Sequence, residues 1–361
     1  MCHDACQETT MLRLSVLDQS TVVSGRSPDI SIRESIRLAQ HCEALGYDRY
    51  WCAEHHNSPA QAGTAPEILI AAIAATTSRI RIGSAGVMLP HYASLKVAEQ
   101  FRVLDAIAPG RIDLGLGRAP GSDGRTAYAL NPQAETAAEH FPAQVRDILA
   151  WIAGEKLVES HPFRDIMAQP QGPTTPEVWI LGSSDYGAQV AAYFGLPFCF
   201  AHFITDGRGV DQAFAQYRQT YRPSATHPEP YAALCVWAMA ADTEEQAAWL
   251  FKSRETSRLW RDRGIVAALP SPEEAATQTF SLGEQERLER IRSRALFGTP
   301  DVVGAKLRAL AEEHQIGEIA ILTTMHDPDA RRRSYTLLAR EFGLVSGYDA
   351  VDQRELAATH P

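Results

Sequence analysis

The chain has 361 residues, 45% hydrophobic and 22% charged, with a formal net charge of -10. That balance is the one of a soluble globular protein, and its acidity argues against a nucleic-acid partner, which calls for a basic surface. No apolar run approaches the roughly 20 residues of a membrane span, and the start, Met1-Cys2-His3-Asp4-Ala5-Cys6, lacks the basic and apolar parts of a signal peptide.

Strand and helix signals alternate along most of the chain. Residues 12–17 form a first strand, and 32–45 carry helical apolar spacing that stops at Gly46, a usual C-terminal signal. Residues 47–53 are strand two, followed by an Ala/Ile-rich helix over 66–77 with Pro66 at its start. Strand three covers 80–85, a helix 94–107, and strand four 111–117. Further strands are expected at 178–182, 196–200, 231–240 and 318–322, with helices up to Phe194, over 211–221 and over 328–341.

Strands separated by helices on short connections imply parallel pairing. Eight such strands make an α/β fold of the (β/α)8 TIM-barrel type, a single domain over residues 1–361. No Gly-x-Gly-x-x-Gly turn follows the first strand, which counts against a dinucleotide-binding sheet. Two insertions break the rhythm, 118–176 after strand four and 242–300, with charged helical pieces, after strand seven. Both leave the C-terminal ends of strands, where lids over barrel sites grow. Residues 251–294 mix Arg, Glu, Pro and Gly and read as mobile.

Six cysteines are scattered, with Cys42 in a helix pattern and Cys199 and Cys235 inside apolar strands. We expect a reduced, cytoplasmic chain with buried thiols. Cys2-His3-Asp4-Ala5-Cys6 has no second pair to complete a metal site, so residues 1–10 read as a frayed tail.

Four polar clusters sit at the ends of consecutive strands. Glu54-His55-His56 follows strand two, and neighbouring strand residues face opposite ways, so one histidine looks into the barrel mouth. A metal would need further ligands, and His202 and His326 stand alone; no metal is expected. Gly83-Ser84-Ala85-Gly86-Val87-Met88 ends strand three with small residues, which suit either a flat ligand or a tight corner. Gly117-Arg118 ends strand four with a cation placed for an anion, or with a plain surface loop. Gly182-Ser183-Ser184 leads strand five into a helix, as a phosphate site or an ordinary N-cap. On one barrel rim, the four together point to a phosphorylated planar cofactor beside a histidine.

These motifs carry a family resemblance. Trp51-Cys52-Ala53-Glu54-His55-His56-Asn57, Gly86-Val87-Met88-Leu89-Pro90, Val97-Ala98-Glu99-Gln100-Phe101 and Gly110 to Arg118 resemble the bacterial luciferase-like monooxygenase family. Its large branch of single-chain oxidoreductases is the nearest. Leu181-Gly182-Ser183-Ser184, Gly195-Leu196-Pro197-Phe198 and Gly298-Thr299-Pro300 continue the likeness in order.

The resemblance implies a TIM barrel that binds reduced FMN, or the deazaflavin F420 in a sister branch. It places a cis peptide at Ala85-Gly86 under the flavin ring, with Met88 and Gly117 beside it. It assigns the phosphate to Arg118, Ser183 and Ser184, next to Gly182. The base of luciferase corresponds to His55, with His56 alongside, and His55 is the one expected to face the ligand. The implied reaction is oxidation of a small organic substrate by FMNH2 and O2, with the flavin supplied by a separate reductase and a lid from 118–130 or 251–294. An F420-dependent hydride transfer and a non-catalytic flavin carrier are the competing readings. The family usually dimerises, and the face of Ile68, Leu69, Ala72 and Ile73 is a candidate contact. Two departures stand out: Gly117 replaces a cysteine of luciferase, and Ser183 an acidic residue. Both argue against light emission from an aldehyde.

Overall fold

The structure is a computed structural model, and it describes residues 12–344. The terminal tail of residues 1–10, with Cys2 and Cys6, lies outside them. The strands are β1 (Arg13–Asp18), β2 (Arg49–Cys52), β3 (Arg81–Met88), β4 (Ile112–Gly117), β5 (Glu177–Gly182), β6 (Phe198–Ala201), β7 (Ala232–Ala240), β8 (Leu296–Gly298) and β9 (Glu318–Leu322). All pairings among them are parallel. β1 to β7 follow one another around the sheet, and β9 pairs with both β7 and β1, so eight strands close a barrel. No helix among the described residues is long and apolar enough to cross a membrane.

The short β8 is absent from the sequence expectation. It pairs with Ala238–Ala240, the end of β7 that projects beyond the pairing with β9 at 233–237. Three residues are too few to show a strand period, so only the projecting edge of β7 reveals it.

Alternation along the strands sorts two apolar clusters. Leu14, Val16, Tyr50 and Cys52 face the surrounding helices. Leu17, Trp51, Trp179, Cys199 and Cys235 fill the barrel, with the two indoles edge to face at 5.0 Å between centroids. Cys42, Cys52, Cys199 and Cys235 are buried free thiols.

The N-terminal ends of the strands are closed by charge. Arg49 opens β2 and donates to Asp113 (2.9 Å), Glu177 (2.7 Å) and Glu318 (3.1 Å). Arg81 adds a 2.5 Å bond to Asp113. Trp51 Nε1 donates to Asp113 at 2.9 Å, and the Tyr231 hydroxyl to Glu318 at 2.6 Å. Burial works against the Arg49 charge, but Asp113, Glu318 and Glu177 hold it firmly protonated. A second buried pair, Arg331 with Asp18 at 2.8 Å, ties the last helix (Pro328–Glu341) to the end of β1.

Both insertions are ordered into helices. Residues 118–176 contain Gly124–Leu130, Ala134–Glu139 and Phe141–Ala153. The buried Arg102 then grips the Pro-rich return through the carbonyls of Pro170 (2.8 Å) and Thr174 (2.6 Å). Within 242–300 run Glu244–Asp262, Pro272–Ala276 and Leu282–Arg294. The charged helical pieces expected from the sequence of 242–300 are thus present. The two longer helices are joined by a forked Arg292–Glu255 pair at 2.6 and 2.7 Å and by Arg287–Asp262 at 2.8 Å. Ion pairs between sequence-distant charges pack these helical pieces into a cap.

The charged floor carries a stability prediction. Arg49→Met leaves Glu318 buried without its cation and Asp113 with Arg81 alone, and destabilises by about 3–5 kcal/mol. Arg37→Met, at a half-exposed pair with Glu34, costs under about 1 kcal/mol. Urea-unfolding midpoints of the two variants measure the contrast; equal midpoints refute it.

Candidate functional site

The opposite, C-terminal rim surrounds a cavity of about 420 Å³. Ala85, Gly86 and Met88 of β3 line it, with Gly117 and Arg118 at the end of β4. Gly182, Ser183 and Ser184 line it after β5, and His55 after β2. His56 is not among the lining residues.

The floor arises from a defect in the sheet. Residues 82–84 of β3 pair in step with 112–114 of β4, but Val87 then lies opposite Leu116. β3 thus holds one extra residue, a bulge at Ala85-Gly86, and the peptide between them is cis. The Ser84 hydroxyl repairs the ladder, donating to the Gly115 carbonyl at 3.0 Å and accepting from its N–H at 3.1 Å. A Cβ on Gly115 would sit 2.1 Å from the Ser84 carbonyl oxygen, and one on Gly86 2.8 Å from the Gly115 carbonyl oxygen and from the Leu181 side chain. Only glycine lets these backbones meet, which leaves a small-residue platform facing the cavity.

Glu54 anchors this platform to β2. It is fully buried. Its carboxylate accepts from the Met88 N–H (3.0 Å) and the Tyr92 hydroxyl (2.7 Å), and pairs with His56 Nε2 at 2.7 Å. His56 also packs edge-on against His91, 5.9 Å between centroids. His56 is thus engaged with the structure, while His55 faces the space. The reason is the alternation of side chains along an extended backbone.

His55 Nδ1 is buried and has no hydrogen-bond partner among the described residues. Burial first, then the Arg261 cation, lowers its pKa to about 4, against the opposing pull of Glu54. The imidazole is therefore neutral at pH 7. That differs from the free side chain, whose pKa of about 6.5 makes it a neutral-pH proton carrier.

At the other side of the cavity the cation of Arg118 lies over the Tyr186 ring, 3.9 Å from its centroid. Ser184 occupies the N-cap of the helix Asp185–Phe194, yet its side chain makes no cap bond. The helix start therefore keeps free N–H groups, the arrangement that attracts phosphate. Asp185 in the first turn opposes it.

Several lining residues were not anticipated from sequence. Gln19 directly follows β1, and the strand-end rule used for the other clusters reaches it. Tyr186 is in the first turn after Ser184, so the same turn signal contained it. Arg261 comes from the inserted helix Glu244–Asp262, and no local pattern places that helix over the barrel.

The model of the luciferase-like monooxygenase family matches residues 12–314. A luciferase-like monooxygenase of Escherichia coli (strain K12) is 38% identical over 327 residues, 90% of this chain and 96% of that protein. The N-acetyl-S-alkylcysteine monooxygenase of Bacillus subtilis (strain 168) is 33% identical over 329 residues, 91% of this chain and 98% of its own length. Among solved structures, apo-MsnO8 superposes with a TM-score of 0.83 at 35% identity, covering 93% of this chain and 100% of that one. The fold alone is shared with the oxygenating constituent of 3,6-diketocamphane monooxygenase from Pseudomonas putida in complex with FMN. That match has a TM-score of 0.67 at 19% identity and covers 92% of this chain and 98% of that one. It is shared too with an F420-dependent secondary alcohol dehydrogenase, at a TM-score of 0.61 and 14% identity, covering 93% and 100%. On the extent of the family match and of these relatives, the chain belongs to the luciferase-like monooxygenase family.

Proposed function

We propose that this chain is a monooxygenase that uses reduced FMN and O2 to oxidise a small organic substrate. The observation that carries the reading is one cavity joining a small-residue platform, the imidazole of His55 and an uncommitted anion site. The residues fit the cofactor. Arg118, Ser183, Ser184 and the helix start would hold the phosphate. Ala85, Gly86 and Met88 would carry the ring, with Gly117 and Gly182 leaving room beside it. Reduced FMN, when bound, supplies the electrons that activate O2.

The protein's part is position, dryness and a proton site. Trp51, Leu181 and Phe203 line the space and exclude water. Neutral His55 lines this space and would take a proton there as general base. His56 acts on the platform through Glu54 and is a positioning residue. A separate flavin reductase is the expected source of FMNH2, as the family resemblance implies. The relative that acts on N-acetyl-S-alkylcysteines makes a thioether the first candidate substrate. A second copy of the chain is the expected partner. Ile68, Val103 and Ile107, on adjacent helices, are exposed at 68%, 47% and 49%, whereas Leu69 and Ile73 are buried in the fold.

Equilibrium titration tests the cofactor. FMN binds, F420 does not compete, and Arg118→Met with Ser184→Ala weakens FMN about tenfold or more; tighter F420 binding would replace the reading by hydride transfer. His55→Ala lowers turnover about a hundredfold with FMN affinity retained, and unchanged turnover removes His55 from the chemistry. Because its pKa lies near 4, activity stays flat from pH 8 to 6 and falls only toward pH 4, as the base becomes protonated. An acid limb near pH 6.5 contradicts that assignment. Ile68→Glu converts a dimer to monomer in light scattering; a wild-type monomer refutes the contact.

A further inference from the structure

The flavin cavity continues into a second space of about 230 Å³. Gln19, Gln61, Phe203, Ile204 and Arg261 line both. The helix Glu244–Asp262 borders the second space with Arg254, Arg258 and Arg261. Spaced four and three apart, these residues share one helix face.

Three like charges on one face repel unless something answers them. Arg258 is answered by Asp206, with two bonds of 2.8 Å. Asp262, the acidic residue of the lining, is taken by Arg287. The guanidinium groups of Arg254 and Arg261 have no hydrogen bond or ion pair among the described residues, and Arg254 instead stacks on a ring. The Arg254 guanidinium lies over the Trp237 ring, 4.1 Å from its centroid. Stacking fixes the plane of the group and leaves its N–H edge available. Burial, with Arg258 and Arg261 nearby, lowers the Arg254 pKa, yet a guanidinium stays charged in a protein. Two cations thus border a partly apolar space that also includes Leu269 and Leu322.

We propose that this space is the carboxylate subsite for the substrate: an organic acid binds with its carboxylate at Arg254 and Arg261. Its apolar body runs past Phe203 and Ile204 toward His55 and the Ala85-Gly86 platform. The inference rests on the adjoining cavity being the flavin site. The cofactor phosphate is not the anion meant. Its residues follow β4 and β5, whereas the arginines arrive on the insertion after β7.

Calorimetric titration with 4-phenylbutyrate and the neutral 4-phenylbutanamide tests the subsite. The wild-type protein binds the acid about tenfold or more tightly than the amide. Arg254→Met and Arg261→Met each abolish that preference, and Arg254→Lys keeps part of it. FMN affinity of Arg254→Met stays within about twofold of wild type, since the change removes no phosphate contact. Equal affinity for acid and amide, or a preference that survives both methionine variants, overturns the proposal. So does a large loss of FMN affinity in Arg254→Met, which assigns the cation to the cofactor phosphate. Wild-type protein that prefers the acid but fails to bind FMN rejects the flavin reading and leaves the anion subsite standing. Arg261 is exposed on the helix surface, so its variant keeps the test open if Arg254→Met does not fold.

Discussion

A guanidinium buried at the bottom of the barrel sets the frame for everything above it. Arg49 is 5% exposed, and a charge in so dry a place persists only when paired and hydrogen-bonded. Its partners come from β4, β5 and β9, and Arg81 of β3 shares two of them. Five strands are thereby held at one end by charge. That end is filled, and Trp51 and Trp179, each bonded through its indole N–H to this network, fill the layer above. Ligand space is left only at the C-terminal rim. The division between a stability face and a reaction face, general to such barrels, has a specific cause here.

The rim is shaped by a second constraint, the close approach of β3 and β4. An extra residue in β3 and a glycine opposite it bring backbone where side chains would otherwise stand. Glu54 then couples this platform to the strand that carries His55. One carboxylate with three donors fixes the Met88 backbone, Tyr92 and His56 together. The chemistry assigned to His55 thus depends on a neighbour that does not touch the cavity. The electrostatics of the site are also non-local. Arg261 depresses the basicity of His55 from the inserted helix, and the same helix brings the two unanswered arginines.

Strand ends were legible because a parallel barrel gathers them on one rim whatever lies between. Ala85, Gly86, Met88, Gly117, Arg118, Gly182, Ser183 and Ser184 are brought together for that reason. The pairing of His56 with Glu54 was not legible, since two adjacent histidines look alike until their backbone directions are known. Nor was the cap formed by residues 244–294. Its helices are held by Arg292–Glu255 and Arg287–Asp262, contacts between residues far apart in the chain, whereas the sequence suggested charged helical pieces without their packing.

The sequence by itself determined the alternation of strands and helices, the family and the residues of the rim. Each follows from local periodicity or from motifs a few residues long. Tertiary structure decided which histidine faces the cavity, that its imidazole is neutral, and that Arg254 and Arg261 stand beside it without counter-ions among the described residues. Burial and charge pairing are sums over neighbours from distant parts of the chain, and they exist only once the barrel has closed.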